Sequence, residues 1–413
     1  MEDKLVKHGA IIFAGATAVN LLNYIFQLAM ARLLTPVEYG ALIALFALFN
    51  IFVIAASSVS TISTKFASVF WSRKELGKIK FLVLAYGKII LVFSALLLII
   101  VFFLHGLIAG FMQISDSALI LFLFFGICVS YFNSMLSGML NGMQRFFSLV
   151  LMNISNASTK FVLGILLVFF GFGVAGAVDG LVAGGIIGAL AGFFLLGNVF
   201  AKKSEKFEIK KTLSYSAWIF AGFICLAVLS NIDVVLVKHF FSGEEAGVYS
   251  AAFTLARIIF FATSSLTIVL LPKAVSAHSL KQNTSKILKK ALLIMALLCI
   301  ASTLAYFTLP SLIVNLLVGS NYASAVPLLG IFALVTSVFS FVNLLAVYFT
   351  SIHRKKFSVL LLAFSVLEII LIFLFHSSLL QVLYILLGVQ SALLAAMAAY
   401  FFFDFKRDKI EFD

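Results

Sequence analysis

The chain has 413 residues, of which 63% are hydrophobic and only 11% are charged. Soluble domains carry about 25% charged residues, so a water-exposed fold is excluded. The net charge of +13 would suit nucleic acid if it were gathered on one surface, but its spacing along the chain excludes that partner too.

Apolar runs of roughly 20 residues or more, long enough to cross a hydrocarbon core of about 30 Å, recur from one end to the other. They predict helices over 9–31, 39–62, 82–104, 117–140, 147–170, 176–199, 213–236, 246–271, 290–314, 325–350, 358–377 and 380–403. The first run is too long for a cleavable signal peptide and reads as a span. The predicted fold class is therefore all-α integral membrane, with about 12 transmembrane helices.

Every second connection gathers the basic residues. These are Lys4 and Lys7, Lys65 to Lys80, Arg145, Lys202 to Lys211, Lys273 to Lys290, Arg354 to Lys356, and Lys406 to Lys409. Only Arg32, Lys88, Lys160, Lys238 and Arg257 fall elsewhere, and the opposite connections lean acidic with Glu38, Asp116, Glu244 and Glu245. In short loops such a bias marks the cytoplasmic side, so both termini are expected there. The three cysteines, Cys128, Cys225 and Cys299, have neither disulfide nor zinc spacing and read as buried packing residues.

A shift of about 207 residues lays one half of the chain on the other. Arg32 to Gly40 falls on His239 to Gly247, and the basic loop at 65–80 falls on the one at 273–290. The expected organisation is an N-terminal six-helix bundle (1–200), a basic cytoplasmic linker (201–212) and a C-terminal six-helix bundle (213–413). Six is even, so the halves are parallel repeats, expected to surround a central cleft that opens to alternate sides.

Charges are costly inside a bilayer, by about 2.5–3.5 kcal/mol at a helix centre, and those retained should face a cavity or a partner. Lys160 lies deep in predicted helix 5, on one face with Asn153 and Asn156. Arg257 lies deep in helix 8, on a face with Ser250 and Thr254, and helix 1 carries Asn20, Asn23 and Gln27. These stripes predict a water-filled, cationic lumen. The alternative is a structural partner for each cation, and Glu368, Asp179 and Asp233 are available. Gly176, Gly180, Gly184, Gly188 and Gly192 recur every fourth residue in helix 6, the pattern of close helix packing. No nucleotide-binding loop, metal-ligand cluster or nucleophile motif occurs, so neither catalytic residues nor a metal is expected.

The segment Arg32-Leu33-Leu34-Thr35-Pro36-Val37-Glu38-Tyr39-Gly40 resembles the R-x-L-x-P-x-x-Y-G turn of polysaccharide-transport flippases. These belong to the multidrug/oligosaccharidyl-lipid/polysaccharide exporter superfamily. Asp233, Gly247-Val248-Tyr249 and Ala251-Ala252 resemble the same family's pattern in the second half, although His239 departs from a copy of Arg32. The resemblance covers the whole chain. It implies a Wzx-type flippase that carries an undecaprenyl-pyrophosphate-linked oligosaccharide from the inner to the outer leaflet for O-antigen, capsule or exopolysaccharide assembly. It also implies an inner (plasma) membrane location, and a polysaccharide polymerase and chain-length regulator as partners. Arg32, Asn153, Asn156, Lys160, Thr254 and Arg257 are the candidate substrate contacts, and Glu368 and Asp233 the candidates for coupling to a proton or sodium gradient. A multidrug cation antiporter and a lipid II flippase of the same superfamily are the alternatives. The basic character of the deepest charges speaks against the first, and the lack of two further helices against the second.

Overall fold

The computed structural model describes residues 2–207, 217–279, 285–351 and 357–410. Lys210, Lys211, Lys281, Arg354, Lys355, Lys356 and the second part of the expected linker lie outside them. Among the described residues every regular element is a helix. By length and apolar composition, ten stretches can cross a membrane.

One of these, Phe146–Leu195, has 50 residues. As a single rod it would be about 75 Å long, more than twice the bilayer core. It is instead a hairpin of α5 (Phe146–Leu167) and α6 (Gly173–Leu195), joined by a π-helical turn over Val168–Phe172. Gly171 and Gly173 take φ of 91° and 53° at this turn, a conformation that a Cβ would strain. The partners run in opposite order along the two helices: Gly164 meets Gly180, Asn156 meets Gly184 and Gly188, and Met152 meets Gly192. A further pair, α8 (Ala217–Leu229) and α9 (Ile232–Phe240), is a span bent by 44° at its break. Counting the hairpin as two passes and the bent pair as one raises ten to twelve. The protein is a multi-pass, all-helical membrane protein.

The chain forms two compact units, Met1–Phe223 and Ile224–Asp413. The first contains α1 (Glu2–Leu33), α2 (Pro36–Ser72), α3 (Leu76–Phe111), α4 (Ala118–Gly142), α5, α6 and the short α7 (Gly197–Phe200). Here α4 lies close on α2, because a Cβ at Gly142 would come within 2.5 Å of the Thr64 carbonyl oxygen. Along α3 the side chains of Leu91, Leu96, Ile99, Phe102 and Phe103 stand exposed, as lipid-facing surface must. The second unit contains most of the α8–α9 span, then α10 (Gly243–Ser279), α11 (Ser285–Thr308), α12 (Pro310–Leu317), α13 (Val326–Ser351), α14 (Phe357–Leu374) and α15 (Leu379–Ile410). Its core seats α10 on α13 through Tyr249 against Phe332 and Phe260 against Phe339. Hydroxyls stitch the helices: Thr263 donates to Ser340 at 3.0 Å, and Tyr306 to the Leu255 carbonyl at 2.7 Å.

The two turns that align in the sequence carry the same helix cap. Thr35 caps α2, with Glu38 Oε2 accepting from its backbone N–H at 2.9 Å and its hydroxyl at 2.8 Å. Ser242 caps α10 in the same way, with Glu245 Oε2 at 3.1 and 2.8 Å. Both are capping boxes that satisfy the orphan donors of a helix start.

The predicted helix limits differ from those observed in two ways. Helices α2 and α3 run from Pro36 to Ser72 and from Leu76 to Phe111, well past their apolar windows. Hydropathy measures the bilayer crossing, whereas the helix continues through polar residues beyond it. The expected ninth helix, 290–314, ends instead at Thr308, and Pro310 opens the separate α12 because proline cannot continue the helix behind it.

Candidate functional site

The strongest concentration of buried polar groups lies in the second unit, around the break between α8 and α9. No proline or glycine causes this break. Its freed groups are held by side chains: Gln390 on α15 donates to the Leu229 carbonyl at 3.1 Å, and Asn231 Nδ2 donates to the Ala227 carbonyl at 2.9 Å. Asn231 Nδ2 also donates to Ser230 Oγ at 2.7 Å, and Asn231 Oδ1 accepts from Arg257 Nη2 at 3.2 Å.

Asp233 opens α9, 4% exposed, and accepts a 2.7 Å hydrogen bond from the Tyr249 hydroxyl. Arg257 lies two turns beyond Tyr249 on α10, its guanidinium 4.7 Å from the centre of the Phe253 ring. A small pocket of about 40 Å³ is lined by Leu229, Asp233, Arg257, Thr336 and Gln390 among others. That volume corresponds to a few waters. Glu368 on α14 is wholly buried, and neither of its carboxylate oxygens has a hydrogen-bond partner. Gln390 lies beside it without a well-formed hydrogen bond, and Gln390 Oε1 is likewise unsatisfied. Three acceptor atoms thus share one region without a donor, an arrangement that buried groups rarely show. The predicted contact Thr254, one turn before Arg257, is wholly buried and does not line the pocket.

In the first unit Lys160 is 8% exposed on α5. Its ammonium stands 5.0 Å from the ring centre of Phe26 on α1 and 6.0 Å from that of Phe46 on α2. No described carboxylate of this unit pairs with it, since the ion pair present among the described residues is Lys78–Glu75 at 3.0 Å. Aromatic faces attract a cation by about 2 kcal/mol when desolvated, less than burial of the charge costs. Asn153 and Asn156 are half-buried on the same helix, where Asn156 packs on Gly184 and Gly188 of α6. Arg32 is exposed in the last turn of α1, six residues and about 9 Å along the helix from Phe26.

Residues 5–273, well over half of the chain, match the family described as Polysaccharide biosynthesis protein. The chain belongs to this family. Its fold is similar to an inward-facing multidrug resistance transporter of the MATE family in the MOP superfamily. The TM-score is 0.76 at 14% identity, over 94% of each chain. It is also similar to the lipid II flippase MurJ in an inward closed conformation, with a TM-score of 0.70 at 17% identity over 96% of this chain and 87% of that one. A MOP superfamily transporter from Pyrococcus furiosus gives 0.68 at 16% identity over 96% and 93%. At these identities the likeness is one of fold. No curated protein matches the sequence.

This member of the polysaccharide biosynthesis family therefore has the fold of transporters, not that of an enzyme. Its second unit brings together Asp233, Arg257 and Glu368, three residues singled out by the cost of a charge in a bilayer. Asn231 and Gln390, which join them there, carry no charge and are not singled out that way.

Proposed function

We propose that this protein is a flippase that moves a polyprenyl-pyrophosphate-linked oligosaccharide from the inner to the outer leaflet by alternating access. The carrying observation is Lys160, a buried ammonium set against two aromatic rings with no carboxylate of its own unit to neutralise it. A cation retained at that cost suits an anionic cargo, and the attraction between opposite charges is strong where water is sparse. Arg257, half-buried, supplies a second cation, with a planar fork suited to phosphate oxygens. The multidrug transporters share the fold, but two cations withdrawn from open solvent favour a pyrophosphate or acidic sugars over a cationic drug. Membership of the polysaccharide biosynthesis family supports the lipid-linked oligosaccharide. Assembly of O-antigen, capsule or exopolysaccharide at the inner membrane follows, with a polymerase and a chain-length regulator downstream.

The energy source we propose is a proton or sodium gradient acting at Glu368 and Asp233. Glu368 and Gln390 present three buried oxygens without donors. A proton supplies the missing donor, and a sodium ion takes such oxygens as ligands.

The test is complementation of a strain deleted for this gene. Lys160→Ala and Arg257→Ala, at wild-type protein levels, should each lower surface polysaccharide at least about tenfold, the loss of one charge-assisted contact. Lipid-linked oligosaccharide should accumulate on the cytoplasmic face. Normal surface polysaccharide in both variants would contradict the proposal.

A further inference from the structure

The pocket at the break of the α8–α9 span contains a contradiction in charge. Arg257 and Asp233 both line it, Asp233 buried and Arg257 half-buried. Opposite charges sharing one partly desolvated pocket should close into an ion pair, because water competes less there than at an open surface. They have not done so: no Arg257–Asp233 ion pair occurs among the described residues.

Each is held by a neutral neighbour. The guanidinium Nη2 donates to Asn231 Oδ1 at 3.2 Å, and Asp233 Oδ2 accepts from the Tyr249 hydroxyl at 2.7 Å. Asn231 is itself fixed, because its Nδ2 is spent on the Ala227 carbonyl and Ser230 Oγ, which leaves Oδ1 facing the arginine. It is 0% exposed, as is Tyr249, so neither neighbour can turn to water instead. Asn231 sits two residues before Asp233, and Tyr249 two turns before Arg257. Each spacer therefore lies on the same span as the partner it keeps away.

We infer that Asn231 and Tyr249 are positioning residues that hold Arg257 and Asp233 apart, so that the arginine stays available to an anionic headgroup and the aspartate to a cation. Without the spacers the two charges neutralise each other, and the pocket loses affinity for both. This rests on the reading of Arg257 as an anion contact.

The experiment measures binding of farnesyl pyrophosphate, a lipid pyrophosphate, to the purified full-length protein in detergent. Wild type should bind, and Arg257→Ala should bind at least about tenfold more weakly, as when one charge-assisted contact is lost. Asn231→Ala should weaken binding to a similar degree although the arginine is present. The decisive variant is the double change Asn231→Ala with Asp233→Asn. Removing the carboxylate removes the trap for Arg257, so affinity should return to within about threefold of Asp233→Asn alone, near the usual limit of non-additivity for uncoupled sites. Tyr249→Phe frees Asp233 from the other side and should show the same loss and the same rescue. It decides the matter if Asn231→Ala does not fold.

If wild type does not bind, or Arg257→Ala binds as wild type does, the anion reading of Arg257 fails and the inference falls with it. If Arg257 matters but both spacer variants bind normally, the spacing role alone is overturned. Weakened binding that Asp233→Asn does not restore would also overturn it, since that is the behaviour of a merely structural residue.

Discussion

At Gly180 a single hydrogen stands where any other residue would carry a carbon 2.5 Å from the Gly164 Cα and 2.6 Å from its nitrogen. Both are backbone atoms of α5, so no rotamer change relieves the clash, and the two helices of the hairpin would have to separate. Overpacking of this kind costs about 1–3 kcal/mol. Gly180→Val should therefore lower the melting temperature and the yield of monodisperse protein, whereas Gly87→Ala, with nothing within 4 Å of its Cβ, should leave both unchanged. Equal behaviour of the two variants in a thermal unfolding assay would show that α5 and α6 do not depend on this contact. The glycine series was legible because its four-residue spacing has one physical meaning in a span. Gln390 and Asn231 were not, because an isolated amide in an apolar run has no period, and its role depends on which distant carbonyl or charge the fold brings to it.

The ends of α2 and α10 show how far a local pattern determines an element. Thr35 and Glu38, like Ser242 and Glu245, are three residues apart, and that spacing alone closes the box. Losing the cap hydroxyl costs about 1 kcal/mol. Thr35→Ala and Ser242→Ala should each lower stability by that amount, and the double variant by close to the sum, because distant sites add. Differential scanning fluorimetry of the purified protein reads this out, and a large effect from one cap with none from the other would sink the equivalence of the repeats. The break between α8 and α9 is the opposite case. Leu229-Ser230-Asn231-Ile232 contains no helix breaker, so the sequence predicts one straight span to 236. At the bend Gln390, on a helix more than a hundred residues away, takes the Leu229 carbonyl that the next turn would have used.

Among the described residues the candidate passes number twelve when the α5–α6 hairpin counts as two and the bent α8–α9 pair as one. The side of the membrane on which each connection lies is decided by chemistry that acts during insertion, before the helices pack. Lys and Arg in short loops resist translocation, and here they are concentrated at Lys74, Lys78, Lys80, Lys202 and Lys203, against Asp116, Glu244 and Glu245 on the alternate connections. The candidate spans and an expected orientation can therefore be read from sequence, whereas the site cannot. Topology needs only the sum of charges near each span, whereas the pocket needs the angles at which α9, α10, α13 and α15 meet. Fusing a phosphatase that is active only outside the cytoplasm tests the orientation directly. Fusions after Asp116 and Glu244 should be active, and fusions after Lys78, Lys203 and Asp413 inactive. Moving charge should move the answer: replacing Arg73, Lys74 and Lys78 with Gln should raise the activity of the fusion made after position 78. High activity at Lys203 and low activity at Glu244 would invert the orientation. The cations at Lys160 and Arg257 would then have to collect their cargo from the opposite leaflet.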